Sequence, residues 1–154
     1  MRTPASIARH PIHPMLVPVP IGLWLFSFVC DLVLVFGPGA NASTWATVAL
    51  YCMIGGVIGA LLAAIFGFVD MLSLPPAPKR VALWHMAINL TVVALYAINI
   101  WLRISGTGVP RGALWLSVIA IALLVVSGWL GGHMVYVHGV AVDTESTSVD
   151  AGRR

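Results

Sequence analysis

Four side chains, His13, Asp70, His85 and His133, stand near the ends of four long apolar segments and have the most chemistry to offer. An imidazole ligates iron, zinc or copper through a ring nitrogen, and a carboxylate can complete such a shell. Both are costly near hydrocarbon, Asp by roughly 2.5–3.5 kcal/mol on insertion scales, so several at one level imply a shared purpose. A chain that crosses a bilayer four times brings these four ends to one side. They then define one expected metal centre, His13, Asp70, His85 and His133, open to a zinc, iron or copper ion. Two of the imidazoles could instead hold a b-type haem. His85 and His133, on adjacent helices at similar depth, are the preferred axial pair, with His13 and Asp70 behind them. His13 with His85, across the bundle diagonal, is the next choice.

The elements that must position these groups follow from composition. Hydrophobic residues make up 60% of the 154 and charged ones 8%, against about 25% charged in an average soluble domain. The reading is an all-α integral membrane protein, a four-helix up-down-up-down bundle over 1–142, with a disordered polar tail over 143–154. Apolar segments run over about 15–36, 45–72, 81–102 and 113–136. Each is long enough, at ~1.5 Å per residue, to cross a ~30 Å hydrocarbon layer. Short loops rich in Gly, Pro, Ser and Asn make neighbouring helices antiparallel. Ala40-Asn41-Ala42 resembles a signal-peptide cleavage site, but the preceding apolar run exceeds the usual 7–15 residues and contains Asp31.

Even-numbered crossings put Arg2, Arg9, Lys79, Arg80, Arg153 and Arg154 on one side and only Arg103 and Arg111 on the other. That bias places both termini and the histidine-rich end on the cytoplasmic side of the membrane. The net charge of +3 reports topology and makes no case for nucleic-acid binding. Cys30 and Cys52 lie in the outer halves of the first two helices, close enough in depth for a disulfide in principle, although a thiol there commonly acts as a small hydrophobe.

His10-Pro11-Ile12-His13-Pro14 puts each histidine before a proline, which disfavours helical backbone. Both rings are therefore expected in extended chain facing one way, with the stretch from 10 to 19 lying across the mouth of the bundle. The second helix has Cys52, Gly56, Gly59, Ala63, Gly67 and Asp70 on one face. Such a stripe of small residues serves as a packing seam or as clearance for a flat cofactor. On the third, His85, Asn89, Val92, Tyr96, Asn99 and Arg103 share a face too polar for lipid, which must look inward. Arg103 lies at the depth of Asp31, so an ion pair Asp31–Arg103 is expected. Gly131 and Gly132 beside His133 leave room for a neighbouring helix or a porphyrin edge, and Gly139 is a natural helix cap. A helix continued to His138 would point that ring away from His133.

The run from His10 to Leu23, Gly-Phe-Val-Asp at 67–70, Trp84-His85, and Gly-Gly-His-Met-Val-Tyr-Val-His-Gly at 131–139 resemble the bacterial membrane-protein family catalogued as domain of unknown function 2231 (DUF2231). The resemblance covers about residues 8–142 and implies a four-helix membrane domain without an established activity. Some members are joined to a Rieske-type iron–sulfur domain, which implies electron transfer. These 154 residues hold no such domain and only two cysteines.

Three function classes fit. One is haem or metal binding for electron transfer, with a quinone or redox protein as partner. Another is passage of protons or a small solute along the polar face of the third helix, as histidine suits a relay near neutral pH. The third is a cofactor-free accessory subunit, alone or as a homo-oligomer in the bilayer. No nucleophile elbow, phosphate-cradling loop or dinucleotide fingerprint points to a stand-alone enzyme.

Overall fold

The computed structural model describes residues 3–37, 39, 41–106 and 111–142; the tail expected over 143–154 lies outside them. A two-stranded hairpin, β1 (Ser6–Ile7) and β2 (His10–Pro11), is followed by the short helix α1 (Ile12–Leu16) and by four long helices. These are α2 (Pro18–Phe36), α3 (Ala42–Leu72), α4 (Pro76–Ser105) and α5 (Arg111–Tyr136). Ile12–Phe36, Ala42–Leu72, Pro76–Ser105 and Gly112–Tyr136 are each long and apolar enough to cross a membrane. Trp84 and Trp129 towards one end, and Trp101 and Trp115 towards the other, are exposed. Amphipathic rings at those depths suit the two lipid–water interfaces.

The helices start where the sequence supplies residues that tolerate a first turn. Pro18 and Pro76 open α2 and α4, where the missing N–H would have had no intrahelical partner. The same rule overturns the expectation of an extended stretch across the mouth. Pro11 caps α1, so Pro14 falls at its third position and costs no helical bond. His13 is therefore helical, and only His10 lies in a strand. From Ile12 onward the chain runs antiparallel to α3, and α1–α2 together form the first crossing.

Helix α2 packs chiefly on α3, and α4 on α5, with the two hairpins meeting along α3–α4 and more sparingly along α2–α5. The small-residue face of α3 is a packing seam. A Cβ at Gly56 would collide with the Trp24 indole, and one at Gly67 would lie 2.9 Å from His13 Nδ1. Between the hairpins, Trp24, Met53, Val92, Tyr96 and Ala120 form a buried apolar layer, in which Trp24 and Tyr96 stack with ring centres 4.5 Å apart. A second cluster, Met71, Leu74 and Ala82, closes the histidine end, with Met134 and Val140 packed on it. Cys30 and Cys52 are free thiols.

Candidate functional site

Among the described residues, two clusters of hydrogen-bonded polar groups lie on opposite sides of the apolar layer. At the end away from the histidines, Arg103 donates from Nη1 and Nη2 to the two carboxylate oxygens of Asp31 at 2.9 and 2.6 Å, and from Nε to Asn99 Oδ1 at 2.8 Å. Asn99 donates in turn to the Ala113 carbonyl and to Ser117 Oγ. Asp31 is fully buried and the Arg103 side chain is 5% exposed. A bidentate pair whose third guanidinium nitrogen is also hydrogen-bonded is a form in which such charges persist inside a low-dielectric environment.

The second cluster holds two of the expected site residues. His13 on α1 donates from Nδ1 to the Ala63 carbonyl of α3 at 2.8 Å. His85 on α4 donates from Nδ1 to the Ser127 carbonyl of α5 at 3.0 Å, with Ser127 Oγ 2.9 Å from the same nitrogen. Asn89 donates to Ser127 Oγ and to the His85 carbonyl. A carbonyl can only accept, so in each ring Nδ1 carries the hydrogen. In a neutral ring the Nε2 lone pair is then free, and among the described residues neither Nε2 is hydrogen-bonded. The two ring centres are 6.3 Å apart with planes at 88°. Each ring belongs to a different hairpin, so the pair spans the seam between them.

His133 is not part of this pair. Ser127 and Gly131 are the α5 residues against His85, and a Cβ at Gly131 would lie 3.5 Å from its ring. Two residues on, His133 has turned roughly 200° round the helix, and it lies about 9 Å nearer the helix end than Ser127. Its ring instead meets His138, with centres 5.2 Å apart. That contact departs from expectation because α5 stops at Tyr136 and the chain reverses through Gly139 at φ +63. The Gly139 N–H bonds to the Val135 carbonyl and the Val140 N–H to that of Met134, in the manner of a glycine-capped helix end.

Asp70 also stands apart. Its Oδ1 accepts the Ala5 N–H at 2.8 Å, and it lies seven residues, about 10 Å, along α3 from the Ala63 level of His13. The four groups expected at one level thus occupy two. Among the described residues no three His, Cys, Asp or Glu side chains could jointly hold a metal ion, so the expected centre of His13, Asp70, His85 and His133 is not assembled. Gly67 seats the His13 ring, Gly131 flanks His85, and a Cβ at Gly132 would meet only the Tyr136 ring at 4.0 Å. His10 is exposed, donating from Nδ1 to the Ala8 carbonyl.

Sequence reasoning missed Ser127, which orients His85 through both its carbonyl and its hydroxyl. Its position four residues before Gly131 was the available signal. The polar face of α4 does point inward, with Val92, Tyr96 and Asn99 buried. It is interrupted by the apolar layer, which separates Asn89 from Asn99.

Two antiparallel hairpins, pinned by a buried ion pair at one end and bearing facing imidazoles towards the other, define a four-helix membrane bundle. Residues 9–144 match the family described as a predicted membrane protein (DUF2231), and the chain belongs to that family. No curated protein and no solved structure matches it.

Proposed function

We propose that the bundle binds a b-type haem between its two hairpins, with His13 and His85 as axial ligands, and passes electrons to or from a quinone or a redox protein. The observation that carries this reading is the matched pair of Nδ1–H bonds to backbone carbonyls, from His13 to Ala63 and from His85 to Ser127. Metal-bound histidines almost always donate the second ring nitrogen in this way, which fixes the tautomer and leaves Nε2 for the metal. Spacing agrees. An imidazole nitrogen lies about 1.1 Å from its ring centre and about 2.0 Å from a bound metal, so rings on opposite sides of one ion have centres about 6.2 Å apart. The observed separation is 6.3 Å. The donor set therefore suits an iron held by both imidazoles, and such a haem would supply a one-electron carrier inside the membrane. His13 and His85 would hold it, while Ser127 and the Ala63 carbonyl would keep the rings from rotating.

The test is an optical spectrum of the detergent-purified protein expressed with haem available. A Soret band with sharp α and β bands on reduction, at about one haem per chain, is the expected result. A colourless protein would overturn it.

We further place both termini and the histidine end on the cytoplasmic side of a bacterial inner membrane, on the six-to-two distribution of Lys and Arg. A fluorescent protein fused at the C-terminus should glow, and alkaline phosphatase fused in the loop at 107–110 should be active. The opposite pattern would reverse the orientation.

A further inference from the structure

The ring that meets His85 from the other hairpin is held by more than its own helix. Thr3 and Ala5 are buried, although they precede the first membrane crossing. The Ala5 N–H donates to Asp70 Oδ1 at 2.8 Å, and the Ala5 carbonyl accepts the Ile12 N–H at 3.0 Å. Between those two bonds the chain makes the β1–β2 hairpin, Ser6 opposite Pro11 and Ile7 opposite His10. Ala8 and Arg9, at φ 48 and 69, form its turn, the left-handed pair that a two-residue hairpin needs. Ile12 is the first residue of α1 and His13 the second. A continuous path therefore runs from the carboxylate at the end of α3 through Ala5 to the turn that carries His13.

Asp70 is 8% exposed. A carboxylate at that depth needs a donor, and the Ala5 N–H supplies one. The strap gains in return. Two-residue strands have little stability of their own, so the bond to Asp70 helps to hold the hairpin, and with it the first turn of α1, in one place.

We propose that Asp70 is a positioning residue, a latch that docks the strap of residues 3–16 and through it sets the His13 ring opposite His85. The strap can then open from the water side by moving only the first turn of the first crossing, which gives a group that binds between His13 and His85 a way in. The proposal rests on the haem reading for its spectroscopic consequence but not for the latch itself.

The experiment compares wild type, Asp70→Ala and Asp70→Asn in detergent, using trypsin cleavage after Arg9 and the optical spectrum. Loss of one charge-assisted hydrogen bond should raise the open population of the strap, and with it the cleavage rate, roughly ten-fold or more in Asp70→Ala. Asp70→Asn keeps an oxygen acceptor and should cleave within about three-fold of wild type. In the haem-loaded protein, Asp70→Ala should lose the low-spin spectrum or convert it to a high-spin one while Asp70→Asn retains it. A general loss of folding would expose Lys79 and Arg80 to trypsin as well, so cleavage confined to Arg9 identifies the latch. Equal cleavage after Arg9 in all three proteins, or an Asp70→Asn variant as labile as Asp70→Ala, would overturn it. A colourless wild type would overturn the haem reading alone, and the trypsin comparison would still decide the latch.

Discussion

Replacing Arg103 with alanine is expected to destabilise the bundle by about 3–5 kcal/mol, the usual cost of removing one partner from a buried ion pair. The size follows from what is left behind. Asp31 is fully buried, and both its oxygens are occupied by the guanidinium. Without Arg103 that carboxylate would sit unpaired in the interior of the bundle, where hydration is not at hand. Asn99 would also lose the donor to its Oδ1, though its contacts with Ala113 and Ser117 would persist. Reversible unfolding in SDS–detergent mixtures, or thermal unfolding in detergent, reads the loss directly. Removing both charges, as Asp31→Leu with Arg103→Met, should recover most of it, because no unpaired charge then remains. An Arg103→Ala protein within about 0.5 kcal/mol of wild type, the range of an ordinary surface change, would refute the pair as a structural clamp.

The second large effect falls on the imidazoles. If the bundle holds the proposed haem, His13→Ala or His85→Ala should each abolish its low-spin spectrum, because each removes one of the two imidazoles that would hold it. His133→Ala should leave it intact, because that ring meets His138 and lies on another side of α5 from the residues that touch His85. Ser127→Ala should have an intermediate outcome. It removes the hydroxyl shared by Asn89 and His85 but keeps the carbonyl that accepts the Nδ1 hydrogen. Loss of an outer-shell partner typically weakens metal affinity about 10- to 100-fold. If both His13→Ala and His85→Ala kept a normal low-spin spectrum, the assignment of the ligands would fail.

The membrane helices were legible because each is set by a long apolar run between breakers, a signal that needs no tertiary contact. The inward face of α4 was legible for a related reason: Asn89, Asn99 and Arg103 cannot face lipid, so periodicity alone decides where they point. The pairing of Asp31 with Arg103 followed from depth along two antiparallel helices. The histidine site was harder. Proline before and after His13 masks a helix start that depends on where the first turn begins, and only the placement of Pro14 within that turn makes the helix admissible. His133 was misplaced because depth was judged from helix ends, whereas the side of α5 facing His85 is fixed by Ser127 and Gly131. His138 reaches His133 only through the reversal at Gly139, which no periodicity encodes. Asp70 was grouped with the histidines as a ligand because its true partner is a backbone N–H from a segment 65 residues earlier.

The stacked Trp24–Tyr96 layer with Met53, Val92 and Ala120 lies between the two polar clusters, so packed side chains separate the buried ion pair at one end from the imidazoles at the other. A partition of that kind lets a change in one cluster leave the contacts of the other in place, so substitutions at Arg103 and at His85 should act on stability independently.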